Sequence, residues 1–134
     1  MVAAYDIPPP SIVSIADDHG GAVWEYVSRA SQWRASGVRV RLSGACYSAC
    51  TVYLSLGPQR LCVAPNAVFG FHQAYYPGRF GAPQDDVIRG ATAAMYQSYP
   101  ASVRGWLGPK GLTVGMRYMS GVAAVRLGAV SACK

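Results

Sequence analysis

Short apolar strands alternate with helical segments along this chain, and that alternation restricts its fold more than any other feature. Residues 12–16 read as a strand, and Asp17-Asp18-His19-Gly20-Gly21 as a turn. Residues 22–36 read as a helix, with Val23, Val27, Ala30 and Arg34 on one stripe and Gly37 at its end. Val38-Arg39-Val40-Arg41-Leu42 alternates strictly, which predicts a strand with one wet face. Gly44 reads as the turn after it, and residues 48–56 as a second helix stopped by Gly57-Pro58. Strands at 60–64 and 68–72 follow, separated by the turn Pro65-Asn66. Beyond a loop at 75–83, residues 84–99 and 101–107 read as helices split by Pro100. Gly108-Pro109-Lys110-Gly111 turns the chain, Ser120 starts a last short helix ended by Gly128, and residues 129–132 read as a final strand. Strands joined by helices of this length predict an α/β fold with a largely parallel sheet flanked by helices.

At 134 residues the chain has room for one domain, expected over 12–134 behind a Pro-rich lead-in at 1–11. Half of it is apolar (51%) and 13% is charged, enough for a core and too little charge for a disordered tail. Arg, Gly, Pro or Asp interrupts every apolar run, so no membrane span is expected. Met1 to Pro10 lacks a basic start and does not read as a signal peptide. The net charge of +6 lies wholly in residues 87–134, where six Lys/Arg face no acid. Those cations are spread without clustering or interleaved aromatics, so they read as solvated helix faces and not as a nucleic-acid surface. Cys46, Cys50, Cys62 and Cys133 permit two bridges in three pairings. No His or Cys pair completes a zinc site around them, so no metal is expected. At least one disulfide and export to an oxidising compartment are expected, with Cys50–Cys62 the favoured pair; a cytoplasmic protein with reduced thiols is the alternative.

Three local features bear on chemistry. Gly44-Ala45-Cys46-Tyr47-Ser48-Ala49-Cys50-Thr51 is a tight strand-to-helix turn that sets a serine at the carboxyl end of a strand, where open α/β sheets place their sites. Gly70-Phe71-His72-Gln73 ends an apolar strand on a lone histidine, 24 residues later. Together they would supply a hydroxyl beside an imidazole. Gly20-Gly21, opening a helix, would expose backbone N–H groups to an oxyanion. Taken singly, each has a plainer account: an N-cap, a structural histidine and a turn. His19, beside two aspartates, reads as a surface loop residue.

Taken in order, these features resemble the proteolytic subunit of Clp protease and its crotonase-like relatives. The resemblance rests on the serine turn, on Arg60-Leu61-Cys62-Val63-Ala64-Pro65-Asn66-Ala67, on His72-Gln73, and on the closing stretch from Met119 to Val130. The Gly-x-Cys-x-Ser-Ala-Cys-Thr form is similar to the predicted periplasmic branch of that superfamily. The resemblance implies a ClpP/crotonase-like spiral of repeated β-β-α units, N-terminally truncated. It implies Ser48 as nucleophile, His72 as general base, and an oxyanion hole from Gly20, Gly21 and the N–H of Ala49. It further implies that the loop at 75–83 and the helix at 84–99 form a handle that lines the substrate groove and packs subunits, giving a homo-oligomer. The family's third catalytic residue, an aspartate, falls on Met116 and Arg117 here. Asp86 or Asp85 would replace it if the loop folds back; otherwise a backbone carbonyl or the Ser120 hydroxyl would orient the ring, and Arg117 would disfavour the imidazolium.

The function expected is therefore a weak serine peptidase acting on peptides or proteins without a cofactor. One alternative is a binding or assembly module that keeps the fold without the activity. Another is a crotonase-type acyl-thioester enzyme, for which no adenine-pocket signature is present.

Overall fold

The computed structural model describes residues 11–75 and 86–134. Expectations for the lead-in at 1–10, for the loop and helix start at 76–85 and for Asp85 lie outside these residues. The elements run β1 (Ile12–Asp18), α1 (Val23–Ser36), β2 (Arg39–Tyr47), a 3-10 helix (Ser48–Leu56), β3 (Leu61–Val63), β4 (Val68–Phe71), α2 (Asp86–Ser98), α3 (Ala101–Leu107), β5 (Arg117–Ser120), α4 (Gly121–Arg126) and β6 (Ser131–Ala132).

Strand β2 organises the sheet. Its Val40 and Leu42 are buried while Arg39 and Arg41 face water, as the alternation requires. One edge pairs in parallel with β1. The other edge forks: Val40, Arg41 and Leu42 pair with β3, and Ala45, Cys46 and Tyr47 pair with β4, both in parallel. Strand β3 continues in parallel to β6, and β4 continues antiparallel to β5. One long strand thus carries two diverging branches, and the sheet curls around the side chains between them. The result is a mixed α/β fold with a curled sheet.

The strand does not stop at Gly44, as the turn reading required. The β1–β2 register shifts between Ala16 and Asp18, and Gly44 takes a left-handed φ of 69° within the strand. The Asp17 carboxylate fills the space a side chain at Gly44 would need and accepts the Ala45 N–H at 3.0 Å. A bulge thereby prolongs β2 by a further three residues, beyond what periodicity alone reveals.

Helix α1 buries Val23, Tyr26 and Ala30, and Gly37 closes it in the left-handed conformation, its N–H on the Trp33 carbonyl. The 3-10 helix is buried on nearly every side, with Ala49 to Leu54 and Leu56 all in the core. Helix α2 buries Ile88, Ala91 and Met95 on one stripe, and Pro100 separates it from α3. Ser120 caps α4, its hydroxyl accepting the Ala123 N–H at 3.0 Å. Strand β5 was not expected. Its exposed Tyr118 and buried Met119 give a strand too short for periodicity to register.

The disulfides are Cys46–Cys50 and Cys62–Cys133, not Cys50–Cys62. Burial explains the correction. Leu61 and Val63 turn into the core, so Cys62 between them turns to the opposite face, beside Arg41 and Ser131. Cys50 is fully buried within the 3-10 helix, on the core side of the sheet.

Candidate active site

Strands β2 and β4 are parallel neighbours with Tyr47 opposite Gly70, so their carboxyl ends release Ser48 and His72 side by side. Gly70 permits this pairing, because a Cβ there would lie 2.7 Å from the Tyr47 ring and 2.8 Å from the Met116 sulfur. Ser48 leaves β2 with φ at 58°, in the left-handed region that a residue with a side chain rarely enters. Strained positions of this kind concentrate at functional sites. The Ser48 carbonyl accepts the Thr51 hydroxyl at 2.6 Å, and Thr51 Oγ1 lies 2.6 Å from the Tyr99 hydroxyl. Since Thr51 has one hydrogen to give and gives it to Ser48, Tyr99 donates to Thr51. Burial pushes the Tyr99 phenol far above its usual range, which keeps that donor protonated.

The turn after β1 closes against this serine. Gly20 has φ at 98°, and a Cβ there would lie 2.9 Å from both Ser48 Cβ and the Tyr47 carbonyl oxygen, and 3.2 Å from the Ala49 nitrogen. Asp18 fixes the turn, accepting the Gly20 N–H and the Tyr26 hydroxyl, each at 2.8 Å. Burial, then the Asp18 carboxylate, raises the Tyr26 phenol and keeps it a donor. The Gly20 N–H is therefore committed to Asp18. The Gly21 N–H has no partner among the described residues, and Ala49 sits in the first turn of its helix, where N–H groups lack intrahelical acceptors.

A cavity of about 380 Å³ is lined by His19, Gly20, Gly21, Ala22, Val23, Ser48, His72, Ala74 and Tyr75. Ser48 and His72 thus face one space, with the glycine turn as its third wall. No hydrogen bond joins the Ser48 hydroxyl and the His72 imidazole; catalytic bonds of this kind commonly tighten only once substrate is bound. The ring has a partner of its own: Nδ1 lies 2.6 Å from the Gln73 carbonyl oxygen. A carbonyl only accepts, so this bond puts the proton on Nδ1 and leaves Nε2 as the basic nitrogen.

The remaining candidates lie elsewhere. Asp86, at the start of α2, is exposed and forms an ion pair with Arg89. The Arg117 guanidinium donates to the carbonyls of Leu107 and Trp106 and stacks over the Trp106 ring, which corrects the expectation that it crowds the imidazole. The Ser120 hydroxyl is spent on capping α4. Among the described residues no group of His, Cys, Asp and Glu could hold a metal ion, and no helix is long and apolar enough to cross a membrane.

No protein-family model matches the sequence, and no curated protein aligns with it. Solved structures do match the fold. A ClpP1 mutant from Listeria monocytogenes superposes with a TM-score of 0.60 at 15% identity, over 91% of this chain and 72% of its own. This chain has a ClpP-like fold. A peptidase from Plasmodium falciparum superposes with a TM-score of 0.57 at 11% identity, over 93% of this chain and 78% of its own. A third structure, described only as an enzyme, gives 0.60 at 12% identity, over 90% and 76%.

Sequence reasoning passed over several contacts around this cavity. His19 is exposed in the loop after β1, as its acidic neighbours suggested, and also lines the cavity with its ring 5.2 Å from that of Tyr47. Thr51 and Tyr99 hold the Ser48 carbonyl from 48 residues apart, a separation that no local pattern encodes. The hydrogen bond from Tyr26 to Asp18 was missed as well, because Tyr26 lies off the stripe read from the sequence and is buried beside Val23 and Ala30 instead.

Proposed function

We propose that the chain is a slow serine hydrolase that cleaves peptide bonds in peptides or proteins, without a cofactor. One observation carries the reading: Ser48, in a left-handed turn at the end of β2, lines the same cavity as an imidazole whose Nδ1 is tied to the Gln73 carbonyl. In the reaction, His72 Nε2 takes the Ser48 hydroxyl proton as Oγ attacks the scissile carbonyl. The N–H groups of Gly21 and Ala49 receive the oxyanion. The imidazolium then protonates the leaving amine, and water repeats the sequence to release the acyl group.

A neutral carbonyl orients the ring but does not balance an imidazolium as a carboxylate does. Replacing the triad aspartate of a serine protease lowers the rate by about 10⁴-fold, and slow turnover is expected here for the same reason. Asp85 and Asp86 remain the acids nearest in sequence, and Asp86 would have to leave Arg89 to act. A fluorophosphonate probe is expected to label the protein slowly and Ser48→Ala not at all; equal labelling of both removes Ser48 from the reading. The second reading, a binding module without activity, draws on the lack of a carboxylate partner for His72 among the described residues. Retained peptide binding with no labelling would select it.

Two disulfides suit an oxidising compartment, so the same proposal includes export, in keeping with a periplasmic protein. It also includes a homo-oligomer, supported by exposed Trp24, Val114, Tyr118 and Val122.

A further inference from the structure

The geometry points to the Cys46–Cys50 disulfide as a positioning clamp that holds Ser48 in its left-handed turn. This inference rests on the reading of Ser48 as the nucleophile. The bridge spans only four positions, and Ser48 is the middle one. Its two Cα atoms are 5.2 Å apart, whereas four residues of extended chain would span about 13 Å. An intact bridge therefore forbids a fully extended run from 46 to 50 and narrows the conformations open to a serine at φ 58°.

Both anchors are fixed. Cys46 lies in β2, paired on both sides, with Asp18 opposite it on β1 and Phe69 opposite it on β4. Cys50 lies in the 3-10 helix, and neither cysteine is exposed. The bridge thus joins the end of a strand to the start of the next helix across Ser48, which with Asp17 is one of the two non-glycine residues of positive φ among the described residues.

The second disulfide supplies the contrast. Cys62–Cys133 closes a span of 71 positions and lies on the other face of the sheet. Loop-closure entropy makes a long-span bridge the stronger constraint on the unfolded chain, and a short ring the weaker one. Cys62–Cys133 is therefore the larger contributor to global stability. The Cys46–Cys50 ring acts mainly on local geometry.

The test compares the wild-type chain with Cys46→Ala/Cys50→Ala and with Cys62→Ala/Cys133→Ala, and uses Ser48→Ala as the labelling blank. Three quantities are read on each folded protein: the second-order rate of fluorophosphonate labelling, the thermal midpoint, and the Ser48 φ from NMR backbone couplings. The first pair is expected to label at least tenfold more slowly and to lose the positive φ at Ser48. The second pair is expected to lose more thermal stability yet label at the wild-type rate with φ unchanged. Cys46→Val/Cys50→Ala, which refills the buried volume, serves where the double alanine does not fold. Wild-type labelling and a retained positive φ in the first pair overturn the clamp, as does equal slowing in both pairs. Absence of labelling in the wild type removes the nucleophile reading instead. The clamp is then decided by φ alone, supported by its loss in the first pair only and overturned by its retention.

Discussion

Ser48 keeps a backbone conformation that costs a residue with a side chain on the order of 1–3 kcal/mol, and its neighbours account for its persistence. Gly20 leaves its face open because a Cβ there would lie 2.9 Å from Ser48 Cβ. Thr51 holds its carbonyl, and Tyr99 holds Thr51. Thr51 is fully buried and Tyr99 nearly so, with 2% of its surface exposed, and neither hydroxyl has water to fall back on. Thr51→Val keeps the shape and removes the hydroxyl, stranding the Tyr99 O–H. The expected loss is about 1–3 kcal/mol, the usual penalty for a buried polar group left unpaired. Adding Tyr99→Phe removes the stranded group, so the double variant is expected to recover part of that loss. Chemical denaturation of the single and double variants measures both, and a fully additive pair would contradict the coupling.

At the scale of elements, the site depends on how far β2 extends. Had the strand ended at Leu42, Ala45 to Tyr47 would not pair with β4, and nothing would bring Ser48 beside His72. The bulge opposite Asp17 supplies those residues, and it requires a left-handed residue without a side chain at position 44. Gly44→Ala is expected to destabilise the fold by roughly 1–3 kcal/mol from backbone conformation alone, and by more if the Asp17 carboxylate is forced off the Ala45 N–H. Labelling of Ser48 is expected to fall with it, since both strand ends lose their shared register. Thermal melts and labelling rates check the two parts separately, and a variant unchanged in both would remove the bulge from the account.

At the scale of the molecule, three phenols make stability sensitive to alkali. Burial raises Tyr26, Tyr53 and Tyr99 above the ordinary phenol value of 10.0; Asp18 raises Tyr26 further, while the hydrogen bond that Arg29 donates to Tyr53 partly offsets the shift there. A group whose folded pKa exceeds its unfolded one contributes fully below the unfolded value, and the contribution is lost as pH climbs toward the folded value. The thermal midpoint is therefore expected to hold from neutral pH to about pH 9–10 and to fall above that. In Tyr99→Phe the alkaline fall should be shallower. Melts across this range decide it, and an unchanged slope in the variant would remove Tyr99 from the effect.

What the sequence determined by itself were features carried by neighbours along the chain. The alternation at 38–42, the end of α1 at Gly37, the break at Pro100 and the capping Ser120 each depend on residues a few positions apart, and each appears as an element boundary or face, whereas the α1 stripe shifted: Tyr26 is buried, Val27 is half-buried and Arg34 is exposed. The order of a serine turn, an apolar strand and a histidine was legible for the same reason. The tertiary structure decided what depends on contact between distant residues. It assigned Cys62 to Cys133 because alternation in β3 turns Cys62 away from the core, toward the last strand. It sent Arg117 to the carbonyls that end α3 instead of toward the imidazole. It also gave the Thr51 hydroxyl the phenol of Tyr99, 48 residues on. Spacing along a chain fixes which face a side chain takes, whereas its partner is fixed only when the sheet curls and brings another element within a few ångströms.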